Sequence, residues 1–168
     1  FGIDRRRSLP AWARKSLAEQ WNSRTRSTEQ PNLVLFRDTF TTYYDPQIGM
    51  AAADVLEAAG FNVGLGPDVC CGRPLISQGL LTDARDRAGD TIRQLYPTAQ
   101  LGTPIVVLEP SCLSALVDDI PSLVRGELQQ QAKTVAQSVI LFEDFLEHSL
   151  HSGRASLTFK KGPSNIVL

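Results

Sequence analysis

The sequence predicts an α/β fold, a three-layer sandwich built on a mostly parallel sheet. Two observations predict it. Short apolar or alternating runs, Leu33-Val34-Leu35-Phe36, Phe61-Asn62-Val63-Gly64-Leu65 and Pro104-Ile105-Val106-Val107-Leu108, are separated by segments with helical spacing of apolar residues. Strands covered on both faces lose the polar alternation of half-buried ones, and that is what the first and third runs look like. The order β-α-β-α-β-α-α-β-β then argues for parallel strands joined by helical crossovers, a Rossmann-like arrangement.

Taken in order, residues 1–30 read as a basic linker with seven Arg or Lys against three Asp or Glu. Trp12 to Ala18 has room for two helical turns, but the segment carries too few apolar positions for a core of its own. Residues 31–168 read as one α/β domain. After Leu33–Phe36 comes a polar loop, Arg37 to Tyr44. Asp45-Pro46 then resembles an N-cap with proline at the first helical position. Ile48, Ala51, Ala52, Val55, Leu56 and Ala59 mark one helix face, and Gly60 suits the position past its end. Phe61–Leu65 leads into Cys70-Cys71. Leu81, Ala84, Ala88, Ile92 and Leu95 define a second helix, closed by Tyr96-Pro97. Pro104–Leu108 runs into a helix starting near Cys112 and stopping near Ile120-Pro121. Residues 127–152 read as helical in two pieces, the second carrying Leu141, Phe142, Phe145, Leu146 and Leu150 and ending at Gly153. Leu157-Thr158-Phe159 and Ile166-Val167-Leu168 complete the set as two further strands.

The bulk figures narrow the function classes. A chain of 168 residues, 42% hydrophobic and 21% charged with net charge −1, suits one soluble globular domain. No dense Lys/Arg run points to nucleic acid. No run of 18 or more apolar residues points to a membrane span. The stretch after Asp4-Arg5-Arg6-Arg7 lacks the apolar region of a signal peptide. Three cysteines do not make a secreted disulfide framework, so a reducing compartment, with thiols free or metal-bound, is expected. The chain opens on Phe1 and stops on an apolar run, from which we expect a piece of a larger protein.

The chemistry concentrates at Val69-Cys70-Cys71-Gly72-Arg73-Pro74. Two adjacent thiols on a tight turn do not both turn easily into a core. The third thiol, Cys112, lies at another strand-to-helix junction, Leu108-Glu109-Pro110-Ser111-Cys112. Such junctions gather along the carboxyl edge of a parallel sheet, so the three sulfurs are expected to converge. Helix starts favour thiolates, which suits a metal ligand or a redox thiol. Soft thiolates select iron–sulfur clusters, zinc or copper(I). Glu109 is either a fourth, oxygen ligand or a helix-start carboxylate. His148 and His151, together on a late helix, read as surface residues. Cysteine as a small apolar filler is the competing reading for all three thiols. Gly64-Leu65-Gly66-Pro67 lacks the third glycine of a dinucleotide fingerprint. No C-x-x-C supports a thiol–disulfide enzyme.

Cys70-Cys71-Gly72 followed by Pro110-Ser111-Cys112 resembles the cysteine-rich CCG domain. That domain occurs in heterodisulfide reductase and in the iron–sulfur subunits of glycolate oxidase and anaerobic glycerol-3-phosphate dehydrogenase. Asp38-Thr39-Phe40-Thr41, Tyr44-Asp45-Pro46, Cys70 through Ser77 and Leu108 through Cys112 are similar, more narrowly, to the C-terminal region of FAD-linked oxidases. These are iron–sulfur fusion dehydrogenases of the D-lactate and D-2-hydroxyglutarate type. The resemblance covers roughly residues 31–146. It implies one CCG-type module whose Cys70, Cys71 and Cys112 are iron–sulfur ligands, with Asp38, Thr39, Gly72 and Arg73 lining the site. It also implies FAD in another part of the parent protein. The partners it implies are the flavin and ferredoxin-like domains of that parent chain and a second CCG module after this one. Its setting would be the cytoplasm or the inner face of the membrane.

Two family cysteines are replaced. Thr39, beside Asp38, stands in the first loop, and the final C-x-x-C reads Glu109-Pro110-Ser111-Cys112. Two functions are therefore expected to compete. One is an iron–sulfur-associated electron-transfer module of a FAD-linked 2-hydroxy-acid oxidoreductase. The other is a structural or interaction domain of that enzyme whose degenerate cysteine site binds no cluster.

Overall fold

Four short strands form the centre of the molecule: β1 (Leu33–Leu35), β2 (Val63–Leu65), β3 (Ile105–Val107) and β4 (Val139–Leu141). They lie in the order β2-β1-β3-β4 with every neighbouring pair parallel, Leu33 opposite Val63, Val34 opposite Ile105 and Val106 opposite Ile140. The structure is a computed structural model that describes residues 4, 6–8, 10–24, 30–160 and 162. The helices are α1 (Leu17–Ser23), α2 (Thr39–Tyr43), α3 (Pro46–Ala58), α4 (Arg73–Ser77), α5 (Leu81–Gln100), α6 (Pro110–Ser114), α7 (Ile120–Leu123), α8 (Glu127–Ser138) and α9 (Phe142–His151). A π-helical stretch, Ala115–Asp119, joins α6 to α7.

The topology explains the layers. From β1 the chain steps one way to β2, then back past β1 to β3 and onward to β4. With right-handed crossovers that reversal puts the connecting helices on opposite faces. The two cores agree. On one face Ile105, Val107 and Phe36 pack with Ile92 and Leu95 of α5 and Ala132 and Val135 of α8. On the other, Leu33, Leu35 and Val106 pack with Ala53 and Leu56 of α3, Trp21 of α1 and Phe145 of α9. Alternation along β3 thus feeds both layers, and the expected three-layer α/β sandwich is what forms.

Several elements differ from expectation. β4 falls inside the stretch predicted as helix, because Val139-Ile140-Leu141-Phe142 is apolar throughout and no glycine or proline separates it from the flanking helices. Leu157-Thr158-Phe159 forms no strand, and Phe159 is exposed. The strand predicted at Ile166–Leu168 lies outside the described residues. The loop predicted at Arg37–Tyr44 contains α2, whose N-cap Asp38 accepts the Thr41 N–H at 2.9 Å. Helix α5 does not stop at Tyr96-Pro97 but runs to Gln100. Ala99 continues the buried face one turn beyond Leu95, and the helix accommodates Pro97 in its last turn. The helix predicted near Cys112 starts two residues earlier, at Pro110.

The buried face of α3 is also rotated from the predicted one. Gly49, Ala52, Ala53 and Leu56 face inward, while Ile48, Ala51 and Val55 are exposed. The cause is α1. A Cβ on Gly49 would sit 2.8 Å from a methyl of Leu17, so the missing side chain lets α1 approach. α1 itself starts after Ser16 rather than at Trp12. There the Ser16 hydroxyl accepts the Glu19 N–H and the Glu19 carboxylate accepts the Ser16 N–H, a reciprocal cap. Asp45 precedes α3 as predicted but makes no side-chain cap bond. Gly60 (φ 98°) and Gly153 (φ 72°) stand just past α3 and α9, as predicted.

Candidate functional site

The reversal of strand order lies between β1 and β3, and the crevice outside their carboxyl ends is where open parallel sheets place ligands. Three loops meet there: Phe36–Asp38 after β1, Gly66–Gly72 after β2, and Leu108-Glu109 after β3. Cys70 and Cys71 of the second loop and the starts of the helices that follow the loops, α2, α4 and α6, enclose a cavity of about 310 Å³ lined by Thr39, Cys70, Cys71, Arg73, Ser111 and Cys112 among others. All three cysteines therefore border one space.

Each is held differently. Cys71 and Cys112 are 4% and 7% exposed and belong to the core on the α5 face, and their sulfurs are 3.0 Å apart. Cys70 is half-buried. Its carbonyl accepts the Thr91 hydroxyl at 2.7 Å, tying the turn to α5, and its sulfur accepts the Gly72 N–H at 3.4 Å. Gly72, at φ 76° and ψ 3°, takes the left-handed conformation in which the turn enters α4. All three cysteines are unbridged.

The sequence led us to expect thiolates at the helix starts, and the local environment works the other way. The neighbouring Cys71 thiol, and secondly burial, raise the Cys70 thiol far above its ordinary range; the Gly72 N–H only partly opposes them. Contact with Cys112 is the main cause that pushes Cys71 up to about 11; the Cys70 contact opposes it and burial adds to it. Both groups are neutral thiols at pH 7. α4, which follows the Cys70-Cys71 turn, is only five residues long, too short for its dipole to outweigh these contacts.

The other predicted site residues divide. Thr39 and Arg73 line the thiol cavity, with Arg73 ion-paired to Asp119 at 2.6 Å. Asp38 is 2% exposed and directs its carboxylate to Thr41, bonding both its N–H and its hydroxyl. Glu109 is the N-cap of α6, accepting from the Ser111 hydroxyl at 2.8 Å and the Ser111 N–H at 3.2 Å. Its carboxylate is thus occupied by its own helix. His148 and His151 are exposed on α9, each within reach of the carbonyl four residues earlier. Sequence reasoning passed over Ser111, which lines the thiol cavity, and Thr42 and Arg87, which line a neighbouring cavity that shares Cys70. Ser111 was quoted only as part of a motif, and Arg87 stands on an otherwise ordinary exposed helix face.

An iron–sulfur group or a soft metal ion can be tested against these donors. Three thiols on one cavity wall supply suitable chemistry. Two sulfurs bound to one tetrahedral ion at about 2.3 Å stand about 3.8 Å apart, so Cys71 and Cys112 must part from 3.0 Å to share one. Among the described residues no group of three or more His, Cys, Asp or Glu side chains is already arranged to hold a metal ion. The donor set thus fits in kind, and in number falls one sulfur short of a four-thiolate site. Among the described residues no helix is long and apolar enough to cross a membrane.

Comparison with known proteins follows the same line. No family model matches the chain, and no solved structure matches it. One subunit of the anaerobic glycerol-3-phosphate dehydrogenase of Escherichia coli K12 is 28% identical over 169 residues, covering 98% of this chain and 41% of that protein; its counterpart from Escherichia coli O157:H7 gives the same figures. The D-2-hydroxyglutarate dehydrogenase of Pseudomonas putida KT2440 is 32% identical over 87 residues, 52% of this chain and 9% of that protein. The chain therefore spans about two-fifths of the length of the first two relatives and is similar to segments of dehydrogenase proteins.

Proposed function

We propose that the chain is an iron–sulfur-associated electron-transfer module of a FAD-linked oxidoreductase of the 2-hydroxy-acid dehydrogenase type. Cys70, Cys71 and Cys112 serve as its thiolate ligands. The observation that carries this reading is the meeting of three thiols, from the turn after β2 and the first turn of α6, on one cavity at the reversal point of the sheet. The similarity to dehydrogenase proteins supports it. In this reading the cysteines hold the group, Arg73 lends positive charge beside it, and Thr39 occupies the place of a family cysteine. The remaining ligand comes from a second CCG module. Flavin and ferredoxin-like domains of the same protein or complex supply FAD and the electrons, in the cytoplasm or at the inner membrane face. The group's contribution when bound is one-electron transfer; the chain's own residues ligate it, compensate its charge and limit water.

A second reading, a structural or interaction domain with an unused cysteine site, is favoured by the packing of Cys71 and Cys112 within an aliphatic core, where the Cys71 thiol is pushed up to about 11. Anaerobic reconstitution of the whole oxidoreductase, followed by iron and acid-labile sulfide analysis, separates the two. The electron-transfer reading expects iron to fall in Cys70→Ser and Cys112→Ala variants, together with electron transfer from the flavin. Unchanged iron and unchanged electron transfer in both variants would leave the structural reading standing.

A further inference from the structure

Next to the thiol cavity lies another, of about 370 Å³, whose lining includes Arg37, Thr42, Asp68, Cys70 and Arg87. Its size falls within the range of small-ligand pockets, about 300–1,000 Å³. We propose that this cavity is a binding site for a small oxyanion, the carboxylate or phosphate group of a ligand, held by Arg37, Thr42 and Arg87.

The case begins with unmet hydrogen bonds. Arg37 follows β1 with its side chain 13% exposed, and its Nε is buried without a partner. Its one ion pair among the described residues, 3.5 Å to Asp68, is long and engages a carboxylate that is 67% exposed, so water screens it. Thr42, from α2, is 1% exposed and its hydroxyl is also buried without a partner. Four buried side-chain polar atoms among the described residues lack partners, and two of them belong to residues on the wall of this one cavity. Buried polar groups are so regularly paired that two such gaps on residues lining one cavity point to a missing ligand.

Charge points to its sign. Arg87 reaches the cavity from α5, is exposed, and makes no ion pair among the described residues. The Arg87 stem passes over Gly72, where a Cβ would meet its Cγ at an ordinary 3.5 Å. Two guanidinium groups against the single carboxylate of Asp68 leave the lining net positive. Guanidinium presents parallel donors that match two oxygens of a planar carboxylate or a phosphate. An oxyanion seated here offsets the charge of Arg37 and Arg87, and a turn of the Arg37 and Thr42 side chains toward it gives the buried Nε and hydroxyl their missing partner. None of the three groups is a sulfur, so the inference goes beyond the electron-transfer reading and holds whether or not the thiols carry a metal.

The test is an NMR titration of the chain at constant ionic strength, with inorganic phosphate, acetate and chloride in separate arms and no iron added. Saturable shifts of the Arg37 Nε–H and of the amides around Thr42 are expected with phosphate or acetate, at roughly millimolar affinity. The tighter arm names the ligand's chemistry. Thr42→Val keeps the side-chain shape and is expected to weaken binding at least threefold; Arg87→Gln, on the exposed rim and harmless to folding, is expected to do the same. Shifts that chloride reproduces, or affinity unchanged in both variants, would overturn the proposal.

Discussion

Cys71 and Cys112, 41 residues apart in the chain, hold their sulfurs 3.0 Å apart inside the core. Cys70, the neighbour of one of them, stays partly exposed at the cavity. A metal-free sample treated with a mild disulfide oxidant is expected to link Cys71 to Cys112, since both sulfurs need to move only about 1 Å closer to reach bonding distance. Closing that loop is expected to stabilise the fold by on the order of 4 kcal/mol. Peptide mapping and the urea midpoint check it; a Cys70–Cys71 bridge as the main product contradicts it.

Alkaline pH tests the raised thiols. Cys71 is pushed up to about 11 in the fold, against an unfolded value near 9.0. The unfolded chain therefore loses its proton first as pH rises. The stability tied to the neutral thiol is full below about pH 9 and is lost between about pH 9 and pH 11. Urea midpoints of the metal-free chain are expected to drop across that window, and less in Cys71→Ala. Below the window, alkylation of Cys71 and Cys70 is expected to be slow, because the thiolate is the nucleophile.

Gly72→Ala is expected to destabilise by about 1–2 kcal/mol. The added Cβ would meet Arg87 at an ordinary 3.5 Å, so the cost is conformational, from a φ of 76° that L-residues avoid. Chemical denaturation measures it. A neutral result would mean that the turn before α4 has another conformation.

Glu109→Ala is expected to cost about 1 kcal/mol, the usual loss for an N-cap side chain. Iron content after reconstitution is expected to be unchanged, since the carboxylate is engaged by Ser111. A drop in iron with normal folding would return Glu109 to the ligand set.

The two tryptophans are expected to separate sharply. Trp21 is 1% exposed within the second core, so Trp21→Ala should cost about 3–5 kcal/mol. Trp12 is 67% exposed and stacks on Tyr44 at 4.9 Å between centroids, so Trp12→Ala should cost about 1 kcal/mol. Thermal unfolding of the two variants decides it.

Much of this architecture is legible in the chain because buried parallel strands announce themselves. Leu33–Leu35 and Ile105–Val107 are unbroken apolar runs flanked by turn residues, and Cys70, Cys71 and Cys112 follow from the rule that strand-to-helix turns share an edge. The rest depends on contacts between distant residues. β4 is hidden because Val139–Leu141 is as compatible with the helix on either side as with a strand, and only pairing with β3 decides it. The rotation of α3 depends on Leu17 meeting Gly49, which no periodicity within α3 contains. The neutral state of Cys71 depends on Cys112 standing against it, a contact that outweighs the local pull of a helix start.

The seating of Leu17 against Gly49 bears on any shorter version of this protein. Leu17 is buried against Gly49 of α3 and Trp21 belongs to the second core, so the leading segment contributes interior volume as well as surface charge. A truncation that begins at Pro31 would strip a lid from α3 and leave Leu33 and Leu56 partly uncovered. Workable starting points for shorter versions of the chain therefore lie ahead of Ser16.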